Sequence, residues 1–167
     1  STMGNVTGDE DVGGIVGYNV GGTIKNCSSM GAISGLERVG GLVGYNGYGG
    51  TVENCYARGN VIGEENVGGL VGKNGPKSIV YNSYTTGNVI GDENVGGIVG
   101  DNGFIVQNCS ATVKVSGNLS VGGLVGWNRD LVRNCYAAGN VTGDESTGGL
   151  VGLNDDYGMI NICNATG

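Results

Sequence analysis

Eight residues, Val39-Gly40-Gly41-Leu42-Val43-Gly44-Tyr45-Asn46, recur with small changes from Val12, Val67, Val95, Val121 and Thr147. The glycine pair, an Ile or Leu, the Val, the third Gly and the Asn hold at all six sites. The residue before the Asn runs free: Tyr18, Tyr45, Lys73, Asp101, Trp127 and Leu153. Successive octets start 27, 28, 28, 26 and 26 residues apart. Self-similarity at such a period is the mark of a solenoid or array, in which each repeat buries its apolar face only against its neighbours.

A second segment answers the octet in every repeat, opening at Ile24, Val52, Val80, Val106, Val132 and Ile160. From each opener to the next octet the distance is always 15 residues. From octet to opener it varies between 11 and 13, so the length variation sits in one loop behind the octet Asn. Insertions are tolerated where the backbone leaves a stack.

Each repeat offers three short strand candidates, in the second full copy Gly41-Leu42-Val43, Val52 to Ala57, and Asn60-Val61-Ile62. A coil of 26–28 residues with three strands has the size of a parallel β-helix turn. The expected fold is therefore all-β, a parallel β-solenoid of about six coils, right-handed as parallel crossovers are. Like residues would stack at about 4.8 Å. Val43 and its equivalents form one apolar column, Leu42 and its equivalents a second, Ile33 and Val61 with theirs a third. Neighbouring Leu and Val cannot both point inward from a straight strand, so the octet must bend at its glycines. Residues 1–167 read as one domain, opening and closing in mid-coil, as a piece of a longer array would. Uncapped coils would permit end-to-end self-association.

Composition narrows the function classes. With 38 Gly, one Pro and no three-residue period, the chain is not collagenous. A net charge of −7 argues against a nucleic-acid partner. Apolar runs are too short and Gly-broken for membrane insertion as a helix. There is no His, and the residues that depart from the repeat (Lys73, Lys77, Asp101, Arg129, Asp130, Arg133, Asp155, Asp156) read as scattered over loops, so no enzyme is expected.

Three columns are candidates for chemistry. Cys27, Cys55, Cys109, Cys135 and Cys163 share one column, with Ser83 in the missing slot. They read as small buried hydrophobes, with inter-coil disulfides as the alternative. The acidic turn before the octet carries Asp9, Glu10, Glu64, Glu65, Asp92, Glu93, Asp144 and Glu145, interrupted by Leu36-Glu37 and by Asn118-Leu119. Stacked carboxylates read either as a solvated turn or as a Ca2+ ladder. Tyr18, Tyr45, Tyr48, Trp127 and Tyr157 occupy the free slot and the variable loops, as aromatics that would stack on a sugar or anchor a protein. Tyr56, Tyr84 and Tyr136 form a separate column expected to pack together. Ser29, Ala57, Thr85, Ala111, Ala137 and Ala165 are expected to form a flat outer strip. Two asparagine ladders, one through Asn46 and one through Asn54, read as structural.

The Gly-Gly-Leu-Val-Gly core with its trailing Asn and the paired Asn-Cys segment resembles the GLUG motif. That repeat occurs in large bacterial surface proteins, among them adhesin-like proteins and regions of IgA-cleaving metallopeptidases. The peptidases' His-Glu-x-x-His motif is absent here, so no proteolytic role carries over. What the resemblance implies is a secreted or cell-surface location and a role as one module among several. The leading expectation is a non-catalytic structural or adhesive module facing a host or cell-surface protein or glycan. A glycan- or Ca2+-binding module is the alternative. A further one is an accessory domain of a surface enzyme whose catalytic domain lies outside the chain.

Overall fold

The computed structural model describes residues 1–167. It contains strands and no helix, and every strand pairing is parallel. Strands lie in one ten-stranded and three six-stranded sheets, each running the length of the stack. The chain is thus an all-β solenoid of about six turns, as the period requires.

Of the three candidate segments, Val52 to Ala57 and Asn60-Val61-Ile62 carry strands, Gly41-Leu42-Val43 gives only Val43 to one, and Glu37–Gly40 forms a further strand. In the second full coil the strands are Glu37–Gly40, Val43–Gly47, Thr51–Glu53, Tyr56–Ala57 and Val61–Ile62. Register is like over like: Val39 pairs Val67, Val43 pairs Val71, Asn46 pairs Asn74 and Val52 pairs Val80. The bend expected at Leu-Val falls between Glu37–Gly40 and Val43–Gly47. There the N–H groups of Leu42 and Val43 both bond the carbonyl of Leu70 in the next coil, so the corner leaves neither donor unpaired. Leu42 and Val43 are both fully buried, because the turn lets consecutive side chains enter the core.

Glycine at this corner is a packing requirement. A Cβ on Gly69 would run into the carbonyl oxygen of Gly97, and one on Gly97 would meet the Ala111 methyl at 2.8 Å. The residues opposite are the small column. Ser29, Ala57, Thr85, Ala111 and Ala137 are buried, not an outer strip. The reason for this correction is the residue at the preceding corner. Asn26, Asn54, Asn82, Asn108 and Asn134 all have left-handed φ between 50° and 55°. A left-handed residue resets the in–out alternation, so Cys55 and Ala57 face inward together with Val52. Asn suits this conformation; Ile162, at φ 53°, does not.

The other asparagine ladder is buried and hydrogen-bonded. Nδ2 of Asn19, Asn46, Asn74, Asn102 and Asn128 each donates to Oδ1 of the next Asn at 2.8–3.0 Å. The second amide hydrogen caps the variable loop, for example Asn74 Nδ2 to Ser78 O at 3.0 Å. The cysteine column works similarly, and no disulfide forms. Cys27 N–H donates to Cys55 Sγ at 3.4 Å, Cys55 N–H to Ser83 Oγ at 3.0 Å, and Cys109 N–H to Cys135 Sγ at 3.4 Å. Burial pushes the thiols of Cys55 and Cys109 above the ordinary range, so each stays neutral.

Candidate functional site

With the interior spoken for, chemistry is left to the outer columns. The acidic turn is held by backbone. The N–H groups of Glu64 and Glu65 both bond Leu36 O, and those of Asp92 and Glu93 both bond Glu64 O. Its side chains point outward: Asp9, Glu10, Glu64, Glu65, Asp92, Glu93, Asp144 and Glu145 are all exposed. Glu10, Glu37, Glu65 and Glu93 stand in register, Leu119 breaks the row, and Glu145 follows. Arg38 bonds Glu10 at 3.2 Å and also Glu37, while Asn66 Nδ2 donates to Glu65 at 2.9 Å. Nowhere do three or more Asp, Glu or Cys side chains converge as metal ligands would.

Next to this turn lies a column that composition does not announce. Asp11, Arg38, Asn66, Asn94, Ser120 and Ser146 are all left-handed, with φ between 51° and 56°. Each is skipped in the pairing of its strand, as Arg38 is between Glu37 and Val39, in the manner of a bulge, and Asn66, Asn94 and Ser120 are buried there. Arg38 Nε donates to Asp11 Oδ1 at 2.6 Å, and that bond, with the surrounding carboxylates, holds the guanidinium pKa above its ordinary value.

The free octet slot runs beside it. Tyr18 stacks on Tyr45 with ring centroids 4.8 Å apart. Desolvation, then the neighbouring tyrosines, pushes both hydroxyls upward. Lys73 Nζ meets Asp101 Oδ2 at 2.9 Å, and Arg129 Nε meets Asp101 Oδ1 at 2.9 Å. Asp101 is only 1% exposed, so these two cations compensate a carboxylate taken out of water. Three departures read as scattered are therefore one ion-paired cluster. Lys73 and Asp101 stand one repeat of 28 residues apart and in register, and Arg129 lies two residues beyond Trp127, the partner of Asp101 in the next coil. The guanidinium of Arg129 also lies 4.6 Å over the Trp127 ring, whose buried Nε1 has no acceptor.

The expected aromatics thus divide. Tyr18 and Tyr45 come together, with Tyr48 at the loop beside them; Trp127 belongs to the ion cluster; Tyr157 stands alone at 84% exposure. Tyr56 stacks on Tyr84 at 5.0 Å, bridged by Arg58, whereas Ser110 separates Tyr84 from Tyr136. Asp11, Tyr18, Arg38, Tyr45 and Lys73 line a groove of about 220 Å³.

No curated protein and no solved structure matches the chain. The family described as the GLUG motif matches five consecutive stretches, residues 8–34, 35–62, 63–90, 91–116 and 117–142. Each begins at the acidic turn or the glycine before it and spans one coil, so the family's unit and the structural unit coincide. With most of its length covered by these repeats, the chain belongs to the GLUG motif family.

Proposed function

We propose that this chain is a non-catalytic repeat module of a secreted or cell-surface bacterial protein, a stiff spacer whose outer columns face a host or cell-surface protein or glycan. The observation that carries this reading is the unbroken Asn19-to-Asn154 ladder. A polar group that could serve a reaction is, in every coil, spent on fixing the next coil and closing the loop above it. Such a ladder favours a rod of fixed register, and variation is left to residues pointing away from it.

The test uses the full-length protein on intact cells. An antibody to the module should label unpermeabilised cells. Replacing the module by an unrelated solenoid of equal length should preserve attachment to immobilised matrix proteins and glycans if its role is spacing alone, and abolish it if the outer columns bind. An equally long Gly-Ser linker should abolish it in both cases. Labelling only after permeabilisation, or attachment indifferent to all three states, overturns the reading.

A further inference from the structure

We propose that the groove between the stacked Tyr18–Tyr45 pair and the Asp11–Arg38 pair is a binding site for an uncharged sugar residue of a glycan. The proposal rests on the reading of the module as one that presents an outer surface, and names the ligand class of that surface.

Two independent observations meet at this groove. The first is shape and chemistry. Two columns whose residues change from coil to coil, the octet slot and the left-handed bulge, lie side by side. Across the first three coils they place two tyrosines, a carboxylate, a guanidinium and an ammonium around one cavity. The second is backbone strain. Arg38 sits at φ 52°, where the other coils place Asp, Asn or Ser, and Tyr48 beside the groove sits at φ 54°. Bulky side chains are costly in this region, and such strain gathers at functional sites.

The charges decide what the groove accepts. Arg38 is engaged by Asp11, Glu10 and Glu37, and Lys73 by Asp101, so no free cation awaits an acidic sugar. Asp11, the carboxylate of the wall, is engaged through both oxygens by Arg38, so none is left unpaired for an amine. What remains is a set of fixed donors and acceptors: guanidinium and ammonium hydrogens, carboxylate oxygens and tyrosine hydroxyls, alternating around an aromatic flank. Vicinal hydroxyls of a neutral sugar donate and accept in the same alternation. The ion pairs hold the polar groups in place before the ligand arrives, which lowers the ordering cost of binding. Tyr45 is packed closely over two glycines: a Cβ on Gly47 would strike its ring at 2.9 Å, and one on Gly75 its hydroxyl at 2.6 Å.

The experiment is a screen of the soluble module on an array of neutral, acidic and amino glycans. Amide-shift titration with the best neutral ligand follows. Saturable shifts should centre on residues 11, 18, 38, 45 and 73. Arg38→Asn restores the side chain that two other coils use at this backbone, so it should fold at least as well. It should weaken binding about tenfold, as loss of an anchoring contact does. Tyr18→Ala, at a half-exposed position, should do the same, and Tyr157→Ala should leave binding unchanged. Binding of acidic or amino glycans only, binding of none, or neutral binding indifferent to both groove variants overturns the proposal. Cell labelling does not depend on this outcome, so the two readings fail separately.

Discussion

Replacing Asn74 by Ala removes one rung from the middle of the buried ladder. Asn74 donates to Asn102 Oδ1 at 2.9 Å and to Ser78 O at 3.0 Å, and accepts from Asn46 Nδ2 at 3.0 Å. It is fully buried, so water does not replace these bonds. Asn46 keeps its bond to Gly50 O, and Asn102 Oδ1 keeps a long one from Phe104 N at 3.4 Å. Ser78 O keeps only the longer bond from Ile105 N at 3.3 Å. Three close bonds are lost, and at about 1 kcal/mol each the cost is roughly 3 kcal/mol. The matching change in the last coil, Asn154→Ala, touches an exposed side chain whose bonds to Asn128 and Gly158 are replaced by water. Its expected cost is below about 1 kcal/mol. Urea unfolding followed by circular dichroism and by Trp127 fluorescence gives both values. Native-state hydrogen exchange then locates the loss in the coils flanking Asn74, because coils of a solenoid open by neighbours. Equal costs at the two sites would refute the claim that the ladder holds the rod together.

The cysteine column predicts a contrast at one position. Cys135→Ser should cost less than about 1 kcal/mol, because Ser83 already does the same task, whereas Cys135→Val leaves Cys109 N–H without an acceptor and should cost about 1–3 kcal/mol in the same urea assay. Ile162→Asn should stabilise the last coil by about 1 kcal/mol, read as slower exchange of its amides, since Ile162 is 84% exposed and pays the left-handed penalty. Raised thiol pKa values mean stability that is complete below the unfolded-state value, about 8.5, and lost as pH rises through the folded one. The melting temperature should therefore fall as pH rises above about 8.5. The fall should be smaller in the Cys55→Ser, Cys109→Ser double variant, and equal falls would contradict the assignment.

The period made the fold legible, because stacking equivalent residues at one spacing needs no knowledge of local conformation. The corner at Leu42-Val43 was legible too, from the conflict between two adjacent inward residues and strand alternation. Orientation beyond a left-handed residue was not. Counting alternation from Val52 puts Ala57 outside, and only the reset at Asn54 brings it in. The Asn before every Cys but Cys163 carried that signal. The bulge column was hidden because Asp11, Arg38, Asn66 and Ser120 share no chemistry, only a backbone conformation and a place in the frame. The Lys73–Asp101–Arg129 cluster looked scattered for the opposite reason: residues one coil apart are distant in sequence and adjacent in the stack.

The central claim is that repeats add along an axis. Small-angle X-ray scattering should compare this chain with one in which the coil 35–62 is inserted three more times. In-register stacking predicts a rod longer by about 14 Å with an unchanged cross-section, from about 4.8 Å per coil. A cross-section that grows while the length stays fixed would contradict it.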